Sequence, residues 1–75
     1  MSGIPVTPVK GYRQLSKDEL TLIDAIKTKA EEVRELVERV QFTTDIDGRS
    51  ASIARTELQT GFMWLVRAVA KPTTF

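Results

Sequence analysis

Phe62, Met63, Trp64, Leu65 and Val66 are five large apolar residues in a row. They fall in a segment, about Ser50 to Ala70, that reads as a helix stopped by Pro72. Successive residues on a helix point around its circumference, so one neighbouring element cannot cover such a run. A patch that large, left open, marks an interface. The chain has only 75 residues, and a domain of that size buries about 60% of its unfolded surface when it folds alone. Disulfides, a metal or a partner chain are the usual rescues. Cysteine and histidine are both absent. That removes disulfides, thiolate metal sites, the commonest zinc ligand and the commonest general base. Self-assembly is the rescue left.

The rest of the chain supports a second helix. Gly3, Pro5, Pro8 and Gly11 make residues 1–15 read as an extended arm. Ser16 and Glu19 then form a capping-box pattern, with Leu15 and Leu20 placed as a hydrophobic staple. From there to about Gln41, Leu20, Ile23, Ile26, Ala30, Val33, Val37 and Val40 recur at steps of three and four, an apolar stripe on an otherwise charged helix. On that charged surface Glu35–Arg39 is a favourable pair and Glu31–Glu35 an unfavourable one. Residues 42–49 read as a turn, with Asp47-Gly48 as the reversal signal. The expected fold is therefore all-α: an arm (1–15), an antiparallel helical hairpin (16–71, helices about 16–41 and 50–70) and a short tail (72–75). Gly61 costs roughly 1 kcal/mol in a helix interior relative to Ala. It either marks close approach of another helix, within the chain or across an interface, or is a tolerated defect.

Charge and motifs narrow the function. Eleven Lys+Arg stand against 10 Asp+Glu, without the basic excess of a dedicated DNA binder. No stretch approaches the ~20 apolar residues of a membrane span, and the first fifteen residues lack the apolar core of a secretory signal. There is no P-loop and no GxGxxG. Asp45-x-Asp47-Gly48 has too few oxygen ligands for a calcium loop. No nucleophile–base arrangement is legible, and the carboxylates are spread as on a solvated helix face, so the reading is a non-enzyme with no cofactor.

Three positions could hold an anionic ligand. At Gly11-Tyr12-Arg13 an aromatic ring beside cations suits stacking on a nucleobase and pairing with phosphate; alternatively, Tyr12 packs on a neighbouring hairpin. Lys27 lies eleven residues past the Ser16 cap, roughly 16 Å along the axis. Tyr12 and Lys27 of one chain would meet over a small ligand only if the arm folds back. A two-fold pair of chains would bring two of each together. The plain alternative for Lys27 is a solvated surface charge. Arg67 interrupts an apolar run and needs an acceptor. That acceptor is either Glu32 or Glu35 on helix one, or a phosphate on an assembly axis where symmetry gathers several arginines.

The motif Gly11-Tyr12-Arg13-Gln14-Leu15, the capped helix with Ile26-Lys27, and the closing run from Ala54 to Phe75 (ARTELQTGFMWLVRAVAKPTTF) together resemble the phage anti-CBASS sponges. Their hairpin is shared with part of some anti-Thoeris sponges. The resemblance spans about Gly11 to Phe75, and the closing run is its most specific part. It implies an interlocked helical homo-hexamer that sequesters cyclic dinucleotides, such as cGAMP isomers, in the cytoplasm of the infected bacterium. The host effector is then never activated. It implies dinucleotide contacts at Tyr12 and Lys27, with Gly11 and Arg13 beside them. For a separate cyclic-trinucleotide site it implies Arg67 and a threonine two positions after the lysine. Here that position is Lys29, with Thr28 just before it, so the second site departs from the pattern. The rival readings are a helical adaptor that docks a protein on the Phe62–Val66 surface, a small nucleic-acid-binding regulator, and a nuclease for cyclic nucleotides.

Overall fold

The computed structural model describes residues 14–72, and within them the chain is two helices, α1 (Lys17–Gln41) and α2 (Gly48–Ala70), packed as a hairpin. Gly11, Tyr12 and Arg13, with nearly all of the expected arm, lie outside the described residues. So do residues 73–75 of the tail.

The start of α1 is set by its cap. The Ser16 hydroxyl accepts from the Glu19 backbone N–H at 3.1 Å, and the Glu19 carboxylate accepts from the Ser16 N–H at 2.8 Å. Two amides that the helix itself leaves unpaired are thereby satisfied. At the other end the Phe42 N–H donates to the Glu38 carbonyl, and the Thr43 hydroxyl donates to the Arg39 carbonyl. The charged face of α1 is organised differently from the sequence expectation. Arg34 bridges Glu31 and Glu38, the latter at 2.8 Å, so Glu31 pairs one turn on with Arg34, and no Glu35–Arg39 pair forms. The Arg34 hydrogen bond and charge lower the Glu31 pKa.

The connection corrects a second expectation. Asp47-Gly48 does not make the reversal: Asp47 is the N-cap of α2, which begins at Gly48, two residues earlier than the sequence suggested. One Asp47 carboxylate oxygen accepts from the Arg49 and Ser50 backbone N–H groups, and the other accepts from the Ser50 hydroxyl at 2.6 Å. A cap acceptor reaching two orphan amides starts a helix as soon as it is available. The chain turns through the preceding residues, with Asp45 in the left-handed region (φ 63°) that Asp tolerates better than most. The last helical residue is Ala70. Lys71 turns left-handed and donates its N–H to the Arg67 carbonyl at 2.8 Å, and Pro72 follows, which disfavours right-handed helix at the residue before it.

Between the helices there is almost no core. Ile26, 8% exposed, is the one buried residue among those described. Ile23, Ala30, Val33 and Val37 of the α1 stripe are half-buried against α2, whereas Leu20 and Val40 at its ends are exposed. On α2 only Phe62 and Val66 of the apolar run are half-buried; Met63, Trp64 and Leu65 face outward. One polar clasp joins the helices across their closed end: Arg55 donates to the Gln41 side-chain oxygen at 2.8 Å and stands 3.9 Å from Glu38. Gly61 does not serve close approach within the chain, because nothing lies within 4 Å of where its Cβ would sit. Among the described residues, no helix is long and apolar enough to cross a membrane.

Candidate ligand-binding grooves

Two open grooves run along the hairpin, and Lys27 borders both. The geometry follows from α1: Lys27 is next to the buried Ile26 and three residues before Ala30, so it stands at the edge of the packed stripe with its ammonium outside.

The first groove, about 390 Å³, has a floor of Ala30, Val33, Val37, Leu58 and Phe62. Lys27, Arg34 and Arg55 stand around it. Two of these cations are engaged. Arg34 is held between two glutamates, and Arg55 is tied to Gln41 and lies near Glu38. Lys27 makes no ion pair among the described residues.

The second groove, about 640 Å³, adds Trp64, Arg67 and Ala70 from α2 and Pro72 just beyond it. Lys27 and Arg67 thus border one groove within a single protomer, although the resemblance implies separate sites for them. The expected intrachain acceptor for Arg67 is not used. Glu32 pairs with Lys29 at 3.1 Å, Glu35 is exposed on another face of α1, and Arg67 makes no ion pair among the described residues. Its guanidinium carbon instead lies 5.9 Å from the centroid of the Trp64 ring.

Thr28 and Lys29 are exposed and border neither of these grooves. A step of about 100° per residue carries them off the Lys27 edge. Within one protomer they are not brought together with Arg67. Sequence reasoning also passed over Gln59, which lines both grooves with Lys27 and Phe62, and Trp64. The signal for Trp64 was present, since a residue three before Arg67 on a helix shares its face. Gln59 carried no such signal.

The arrangement sets Lys27 and Arg67, which make no ion pair among the described residues, beside apolar and aromatic walls. The Acb2/Tad1 hairpin-domain family matches residues 5–70, a span that takes in both helices and the Gly11–Arg13 segment. No curated protein matches the chain. On that match the chain belongs to the Acb2/Tad1 hairpin-domain family of anti-CBASS and anti-Thoeris proteins, phage sponges that bind signalling nucleotides and are not enzymes.

Proposed function

We propose that this protein sequesters cyclic dinucleotides, such as cGAMP isomers, in the cytoplasm of the infected bacterium, and releases them chemically unchanged. The family match over residues 5–70 carries the reading. The physical support is Lys27, a cation without an ion pair among the described residues, at the meeting of two grooves. Tyr12 stacks on the bases and Lys27 contacts the phosphates, with Gly11 and Arg13 forming the adjoining backbone and charge. A two-fold pair of chains supplies both residues twice, which suits a ligand with two bases and two phosphates. The assembly is a hexamer of interlocked hairpins.

The test is direct. The protein is incubated with a cyclic dinucleotide and denatured, and the released ligand is analysed. Tight binding with intact recovery supports sequestration, and linear product means hydrolysis. No binding leaves a helical adaptor, which the outward-facing Met63, Trp64 and Leu65 would serve as a protein-docking surface.

A second ligand class follows from symmetry. A hexamer built as a trimer of two-fold pairs has a three-fold axis with two ends. Three Arg67 side chains at each end would meet the three phosphates of a cyclic trinucleotide, with Thr28 and Lys29 as neighbours. Lys29 brings a charge where the family pattern has a hydroxyl. Arg67→Ala is expected to abolish trinucleotide binding and to cost dinucleotide affinity far less, with melting temperature unchanged. Parallel loss of both ligands and of melting temperature would make Arg67 a packing residue instead.

A further inference from the structure

We propose that Trp64 is the positioning residue for Arg67, holding the guanidinium in place without neutralising it so that it meets phosphate preformed. The inference rests on the nucleotide-binding reading and deepens it.

Trp64 and Arg67 are three residues apart on α2 and share a face of the helix. The separation of 5.9 Å between the guanidinium carbon and the ring centroid is within the ~6 Å reach of a cation–π contact. Both residues border the same groove as Lys27. The ring is 61% exposed, so packing within the protomer does not account for a side chain of this size at this position.

The kind of partner matters more than its strength. Arg34, elsewhere on the hairpin, is fixed by carboxylates. A carboxylate cancels the charge and occupies the N–H donors in the guanidinium plane. An aromatic ring takes only the flat face and leaves those N–H donors for a planar, two-point contact with phosphate. Arginine otherwise loses much rotamer freedom on binding, and a side chain already held near a ring has less to lose. Trp64 therefore acts through Arg67, by preorganisation.

The experiment compares wild type, Trp64→Leu and Trp64→Phe. It measures cyclic tri-AMP and cyclic GMP-AMP affinity by calorimetry, assembly by sedimentation, and the Arg67 Hδ chemical shift by NMR. The wild-type Hδ signals should be shifted upfield by the indole ring current. Trp64→Leu should lose that shift and weaken cyclic tri-AMP binding roughly threefold or more, a larger loss than any in cyclic GMP-AMP affinity or assembly. Trp64→Phe, which keeps an aromatic face, should restore most of the affinity. Wild-type Hδ signals at ordinary positions would overturn the proposal even if Trp64→Leu fails to fold. Unchanged cyclic tri-AMP affinity in Trp64→Leu would also overturn it, as would equal loss of both ligands together with assembly. If wild type binds neither nucleotide, the messenger reading itself fails and the role of Trp64 falls with it. If wild type binds both and Trp64→Leu is unaffected, only the role of Trp64 fails.

Discussion

Lys27 and Asp47 show how differently two charged residues can be used on one hairpin. Lys27 has no partner among the described residues, and the function proposed here depends on that. Lys27→Ala should remove a charge-assisted phosphate contact of about 1.5–3 kcal/mol. Tyr12→Ala should remove a stacking platform of ~1–3 kcal/mol per base. Sedimentation of both variants should match wild type, because Lys27 is exposed beside the packed stripe rather than in it. Unchanged cyclic dinucleotide affinity by calorimetry in both variants would displace the site. Asp47, by contrast, is fully occupied as a cap. The Ser50 hydroxyl, then the Ser50 and Arg49 backbone N–H groups, hold its carboxyl below the usual carboxylate range. A carboxyl with a depressed folded pKa stabilises above its unfolded value, about 4 for Asp, and loses that contribution as pH falls through the folded value. Below about pH 4 the melting temperature of wild type should therefore fall more steeply than that of Asp47→Asn, which keeps an acceptor that does not titrate. Glu31 has the same sign and is common to both proteins, so it cancels. Equal slopes would mean that the ionised cap contributes nothing.

At the scale of the helices, Gly61 poses the sharpest question. Alanine there should improve an isolated α2 by about 1 kcal/mol, since the added methyl meets no atom of the same chain. In the assembly proposed above, a helix of another chain passing close would account for a glycine at that cost beside five apolar residues. Gly61→Ala should accordingly weaken assembly, seen as dissociation at higher protein concentration in sedimentation. A higher melting temperature with unchanged assembly would instead mark Gly61 as a tolerated defect. The clasp from Arg55 to Gln41 and Glu38 links the closed end of the hairpin, but its exposed ion pair contributes little, of order 1 kcal/mol or less.

For the molecule as a whole the energetics are one-sided. Ordering a residue's backbone costs about 1–2 kcal/mol, while fully burying a large aliphatic or aromatic side chain contributes about 1.5–3 kcal/mol. Among the described residues only Ile26 is buried, and it is still 8% exposed. Leu22, Leu36, Met63, Trp64 and Leu65 remain open on several faces, with Phe42 88% exposed at the turn. The described residues alone offer little burial to offset the ordering cost, which makes a chain of this size marginal by itself. Sedimentation and circular dichroism across dilution should show an oligomer, a hexamer in the reading proposed here, that unfolds as it dissociates. A folded monomer at micromolar concentration would defeat that expectation.

Local chemistry was legible without coordinates. Ser16 and Glu19 announce a cap whose donors and acceptors are all within four residues. The apolar steps from Ile23 to Val37 announce a stripe because a helix converts spacing directly into a face. The same logic exposed the surplus of Phe62–Val66. The turn was misread because Asp-Gly serves a reversal and a cap equally well in a string of letters. Only the three-dimensional path, with Asp45 already turning the chain, leaves Asp47 free to start α2. The partners of Arg34, Lys27 and Arg67 were hidden for a related reason. Several carboxylates lie within sequence reach of each, and helix rotation and the approach of α2 select among them. That selection gives Arg34 two glutamates, gives Lys29 the Glu32 offered as one acceptor for Arg67, and leaves Lys27 and Arg67 bordering one groove without an ion pair among the described residues.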